Sequence, residues 1–178
     1  PEPLSGFGAS WNENRLLYPA SVVKLIYAVA TEAWIQKDFL PEGQELRRAM
    51  HEMIANSSND ATSFIIDLLT ASTSGPGLKG EQWEVWKKKR NCINDWLASF
   101  NWSEFKSINC CQKTWNDGPF GRDRDFYGDR NENRNALTTI ATAKLMHSLM
   151  HGFLLKPKAT QNITRILSRS LDLVKRKQ

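Results

Sequence analysis

The most constraining feature of this chain is the run Val22-Val23-Lys24-Leu25-Ile26-Tyr27-Ala28-Val29-Ala30. It is apolar nearly all round, so it predicts one central, buried helix. At nine residues it falls well short of the roughly 20 needed to span a bilayer, and no longer apolar run exists in the sequence. Pro19 stands just before the helix start, where its missing N–H costs little. One lysine, Lys24, interrupts the run. Burying a lone ammonium is costly, so Lys24 needs a partner or a task.

Ser21 supplies a candidate task, because Ser21 and Lys24 form S-x-x-K. Positions i and i+3 share one helix face, which predicts that the lysine amine reaches the serine hydroxyl. A serine becomes a useful nucleophile beside a base, and a buried lysine with a lowered pKa is such a base. A helix start also offers backbone N–H groups to an oxyanion. Alone the motif is weak: Ser103-Glu104-Phe105-Lys106 matches it too, and a serine before a helix is most often a simple N-cap. What distinguishes Ser21 is that its lysine lies in an apolar helix. Ser57-Ser58-Asn59 is an S-x-N triplet at a break between two helical patterns. It reads either as a capping turn or as a second wall of the site, with Ser57 relaying a proton and Asn59 holding a substrate amide. Ser10-Trp11-Asn12 and Ser107-Ile108-Asn109 have the same spacing, so the triplet is also weak alone.

The rest of the chain is mostly helical in pattern. Residues 44–55 carry an apolar stripe of Leu46, Met50, Met53 and Ile54. Residues 61–70 form another apolar helix with Asp60 as the expected N-cap. Residues 81–100 are helical, with Trp83, Trp86 and Trp96 as core candidates. Helices are also expected over 138–150 and 160–174. Residues 5–12 read as a short strand and turn, and 116–133 as a long polar loop of the kind that is often functional. The Ser/Thr/Gly/Pro stretch 70–80 is too short for a domain linker, so all 178 residues read as a single domain.

Composition excludes little. The chain is 40% hydrophobic and 24% charged, ordinary for a globular protein. A net charge of +5 permits weak attraction to polyanions, but no nucleic-acid motif is present and no such partner is expected. The basic clusters Lys87-Lys88-Lys89-Arg90 and Lys175-Arg176-Lys177 read as a solvated helix face and a chain end. Cys92, Cys110 and Cys111 give neither a disulfide framework nor a zinc spacing. His147 and His151 sit at i, i+4 without a third ligand, so no metal site and no cofactor are expected.

Three stretches now join up: Tyr18-Pro19-Ala20-Ser21-Val22-Val23-Lys24-Leu25, Met53-Ile54-Ala55-Asn56-Ser57-Ser58-Asn59-Asp60-Ala61-Thr62, and Asn133-Arg134-Asn135-Ala136-Leu137-Thr138-Thr139. In that order they resemble the class A β-lactamase family, nearest to its cyanobacterial A-type penicillin-binding branch. Residues 70–78, 111–115 and 118–128 look like that branch too, so the resemblance runs over nearly the whole chain. It implies the helix-rich part of an α/β (α+β) β-lactamase/transpeptidase-like fold, mostly α here, with the main sheet largely missing. It implies Ser21 as the acylated nucleophile, Lys24 as its proton acceptor or part of the relay, and Ser57 as the group that passes a proton to the departing nitrogen. Asn59 would bind the acyl side-chain amide and contact Lys24, while Arg134 and Asn135 would help hold the long loop beside the site.

Four departures stand out. Ser58 fills the middle of the family's S-D-N, and Asn135 stands where an Asp is usual, so an ion pair in the loop is expected to be lost. The loop lacks the family's catalytic Glu; Asp123 and Asp125 are its nearest carboxylates. No K-T-G occurs, so the chain is expected to be C-terminally incomplete and a poor enzyme alone. Without the loop base, water attack on a penicilloyl ester should be slow. The expected function is therefore that of an extracytoplasmic D-alanyl-D-alanine carboxypeptidase that binds penicillin, with a β-lactam or a peptidoglycan stem peptide as its partner. The alternatives are a β-lactamase that uses a loop Asp, and a degenerate member without catalysis.

Overall fold

The computed structural model describes residues 9–169. Eight helices follow in chain order: α1 (Val23–Gln36), α2 (Gln44–Ala55), α3 (Asn59–Thr70), α4 (Gly80–Arg90), α5 (Cys92–Ala98), α6 (Gly121–Tyr127), α7 (Thr139–Met150) and α8 (Pro157–Leu167). Short 3-10 turns cover Ala20–Val22 and Ser103–Phe105. The described part is thus mostly α. Among the described residues there is no strand, only two isolated antiparallel bridges, Leu17 with Leu137 and Asn109 with Ala136. No helix among them is long and apolar enough to cross a membrane.

The apolar run forms the centre of the molecule. Every residue of α1 from Val23 to Ala33 is buried. Around it pack Met53 of α2, Ile65 and Ile66 of α3, Leu145 and Leu149 of α7, and Ile163 of α8. Full burial of each such side chain is worth about 1.5–3 kcal/mol, so this layer dominates the stability of the fold. One charged group, Glu32, is buried at the far end of α1. It is held by Arg47 of α2 and by Asn162 Nδ2 of α8 at 3.2 Å, which ties three helices together.

Several sequence expectations shift at their edges. The expected N-cap Asp60 lies inside α3, which starts at Asn59. The cap is Ser58, whose hydroxyl accepts from the Ala61 N–H at 3.1 Å. Residues 81–100 form two helices separated by Asn91, not one. The polar loop 116–133 contains α6, because the indoles of Trp83 and Trp86 give Phe126 a place to bury. The last helix starts earlier than expected, with Pro157 in its first turn, and ends at Leu167; residues 170–174 of the expected span lie outside the described residues. No strand occurs over residues 9–12, and the remainder of the expected strand lies outside the described residues, as do Lys175, Arg176 and Lys177.

The basic run 87–90 is no uniform solvated face. Arg90 is 1% exposed, stacks on Trp86 and pairs with Asp123 at 3.0 Å and Asp67 at 3.5 Å. Lys113 joins this cluster, bonding Asp67 at 2.8 Å and Ser74 at 2.8 Å. These ion pairs fasten the 70–80 loop and α6 to the helical body. Gly121 makes the closest approach to backbone: its φ is +47°, and a Cβ there would lie 2.1 Å from the Gly75 carbonyl oxygen. Any side chain at this position would push the two loops apart.

Candidate active site

Lys24 is the second residue of α1 and Ser21 lies in the turn just before it, so both face the start of the central helix. The break between α2 and α3 brings Ser57 and Asn59 onto the same spot. Ser57 Oγ donates to Ser21 Oγ at 2.8 Å. Lys24 Nζ donates to Ser57 Oγ at 3.0 Å, to the Ser57 carbonyl at 2.5 Å and to Asn59 Oδ1 at 2.8 Å. The expected direct contact between Lys24 and Ser21 is replaced by one through Ser57. A relay of three side chains results, with the exposed Ser21 hydroxyl at its open end and the buried amine at its closed end.

Lys24 is 2% exposed and, among the described residues, no carboxylate pairs with it. Burial pushes its ammonium below the ordinary lysine range, since the charged form loses hydration. Three neutral acceptors offset part of that loss without fixing the charge as a carboxylate would. Such an amine can take up a proton arriving from Ser21 by way of Ser57.

The backbone is strained on both sides of the relay. Ala20, directly before Ser21, has φ +45°, and Ser57 has φ +55°. A non-glycine residue in this region costs about 1–3 kcal/mol, and such strain clusters where side-chain placement matters. The competing motif matches lack the relay, although Asn12 also has a positive φ, +53°. Ser103 bonds its neighbour Glu104, and Lys106 is exposed. Asn12 is exposed in an open turn, and Asn109 is taken up in bonds to Asn133 and the Arg134 carbonyl.

Arg134 and Asn135 sit where the long loop returns beside the site. The Arg134 guanidinium lies 3.6 Å over the Tyr18 ring, three residues before Ser21. Asn135 is 3% exposed. Its Oδ1 accepts from the backbone N–H groups of Cys111 at 3.1 Å and Gln112 at 2.9 Å, and its Nδ2 donates to the Gln112 carbonyl at 2.9 Å. Three neutral bonds therefore stand where an ion pair was expected to be lost. The third one requires an amide, which an aspartate cannot supply.

Neither loop carboxylate joins the relay. Asp123 is buried against Arg90, Asp125 lies beside Gly77, and no hydrogen bond links either to Ser21, Lys24 or Ser57 among the described residues. One participant was missed by sequence reasoning. Asn116 Oδ1 accepts from Asn59 Nδ2 at 2.6 Å, fixing which way the Asn59 amide points. An isolated Asn in a polar loop carries no signal for that contact.

The remaining reactive groups lie elsewhere. Burial pushes the Cys92 thiol up to about 11 and Cys111 to about 12, so both stay protonated at neutral pH. His147 and His151 stack with centroids 4.0 Å apart. Among the described residues, no three His, Cys, Asp or Glu side chains gather as a metal site would require. Compared with protein-family models, curated proteins and solved structures, the chain has no match.

Proposed function

We propose that this chain belongs to an acyl-serine hydrolase whose helical region bears the nucleophile, acylated at Ser21 by β-lactams or by D-alanyl-D-alanine peptides. The single observation that carries the reading is the continuous relay from the Ser21 hydroxyl through Ser57 to the buried Lys24 amine. In acylation Lys24 is the free amine and both hydroxyls turn, so that Ser21 donates to Ser57 and Ser57 to Lys24. As Ser21 Oγ attacks the substrate carbonyl, its proton moves to Ser57 Oγ and the Ser57 proton moves to Lys24 Nζ. The relay then returns the proton to the departing nitrogen. Asn59 holds the substrate's amide, and its own orientation is set by Lys24 and Asn116.

The carboxypeptidase reading is favoured over the β-lactamase because Asp123 is spent on Arg90 and no loop carboxylate bonds to the relay among the described residues. Without a base for water, the acyl-enzyme should persist. The substrates place the activity outside the cytoplasmic membrane.

The test is intact mass against time for the full-length gene product mixed with benzylpenicillin. A lasting adduct on the peptide containing Ser21 is expected, and none in Ser21→Ala. An undiminished adduct in that variant would remove Ser21 from its role. An adduct that clears while penicillin is consumed would mean a β-lactamase. No adduct and no consumption would mean a fold without catalysis.

A further inference from the structure

A cavity of about 120 Å³ lies between the stretch that follows Cys111 and the returning end of the long loop. Its polar lining is unbalanced. The Gln112 side chain is 2% exposed, and neither of its amide atoms has a partner. The Trp115 indole N–H is buried and has no acceptor. Arg134 also lines the cavity, and among the described residues its guanidinium makes no hydrogen bond or ion pair; it lies over the face of Tyr18. Lys113 lines it too, but its charge is met by Asp67. No carboxylate belongs to the lining.

Buried polar groups are rarely left unpaired in native proteins, so these orphans, two donors and the Gln112 Oε1 acceptor, call for an occupant. Water occupies about 30 Å³ per molecule, so four would fill the volume. Water, however, brings as many donors as acceptors to a place already rich in donors. An oxyanion brings acceptors only. A planar carboxylate also matches the fork of a guanidinium, which binds it through two parallel bonds. Arg134 is exposed, so the cavity is reached from solvent at its cationic side.

We propose that this cavity binds a small carboxylate, either a free acid or the end of a short peptide, held by Arg134, the Trp115 indole and the Gln112 amide. The proposal does not rest on acylation at Ser21. The seven tryptophan indole N–H resonances are read by ¹H–¹⁵N NMR, with Trp115→Phe assigning one. The protein is titrated with sodium acetate, then with N-acetylglycine, against sodium chloride at constant ionic strength.

A saturable shift of the Trp115 resonance with acetate, weakened at least tenfold in Arg134→Gln, is the expected result. The other six indole resonances report that the variant is folded. Tighter binding of N-acetylglycine than of acetate would assign the site to a peptide terminus, and the reverse order to a free acid. No shift beyond that of chloride with either ligand, or an equal shift in Arg134→Gln, would overturn the proposal and leave water as the occupant.

Discussion

Lys24 and Lys113 are both buried, yet they are accommodated in opposite ways. Lys113 meets the carboxylate of Asp67, which also faces Arg90, which in turn meets Asp123. Charge there is matched by charge, and the cluster fastens two loops to the body. Lys24 meets two side-chain oxygens and a backbone carbonyl, none of them ionised. Its proton is held by dipoles alone and can leave. A carboxylate next to Lys24 would hold the ammonium in place and remove the base. On the proposed reading, the difference teaches how one chain can make one buried cation structural and another a base. The choice of partner decides, because burial is the same.

The widest separation between the two clusters should come from removing one cation in each. Arg90→Met leaves Asp123 buried without its partner, which costs about 3–5 kcal/mol of stability. Lys24→Met removes a buried charge that has no carboxylate partner, so stability should change by no more than about 1 kcal/mol, while acylation by penicillin falls about 10²–10⁴-fold. Urea unfolding and adduct formation, both measured on both variants, check this. If Lys24→Met unfolds the protein as readily as Arg90→Met does, the contrast is lost.

Asn135 tests the same idea at the loop. Asn135→Asp introduces a buried charge and turns a donor toward the Gln112 carbonyl into an acceptor. A loss of about 2–3 kcal/mol is expected, read from the denaturation midpoint. Unchanged stability would mean that the loop can recruit a cation for the new carboxylate, and that the amide is not what the site requires.

The two clusters also differ in how far the sequence reveals them. Lys24 was legible because it interrupts an apolar run, and a buried charge stands out there. Ser57 and Asn59 were legible through spacing joined to a family resemblance. The Arg90 cluster was not: a run of four basic residues on a helix looks solvated until Asp123, 33 residues on, is brought beneath it. Helix edges slipped for a related reason. Ser58 and Asp60 are both good N-caps, and local chemistry alone does not choose between them. In the fold, Ser58 takes the cap, which keeps Ser57 and Asn59 turned toward Lys24.

The pH dependence sharpens the comparison further. Burial lowers the pKa of Lys24 in the folded chain below its unfolded value. Between those two values the unfolded chain binds more protons, so the contribution of Lys24 makes stability rise with pH across that window. Acylation, which needs the free amine, should rise about tenfold per pH unit up to the lowered pKa and then level off. Stopped-flow measurement of adduct formation gives the profile. Lys24→Met should flatten it, and a profile in Lys24→Met identical to that of the wild type would assign the rise to another group.

The smallest effect is expected at Asn116, and it separates placement from chemistry. Asn59 uses its oxygen for Lys24 and its nitrogen for Asn116, so its amide cannot turn over without losing both bonds. Asn116→Ala frees one end. A neutral hydrogen bond contributes about 0.5–1.5 kcal/mol, so the second-order acylation constant should fall about three- to tenfold. The loss should appear in the penicillin concentration for half-maximal rate, because Asn116 touches no reacting atom. Asn116→Asp keeps an acceptor oxygen facing Asn59 Nδ2 and should restore most of the loss. If Asp proves as poor as Ala, the contact is loop packing and Asn59 is oriented by Lys24 alone. If Ala matches the wild type, the Asn59 amide needs no second anchor, and the reactive cluster extends no further than Ser21, Ser57, Asn59 and Lys24.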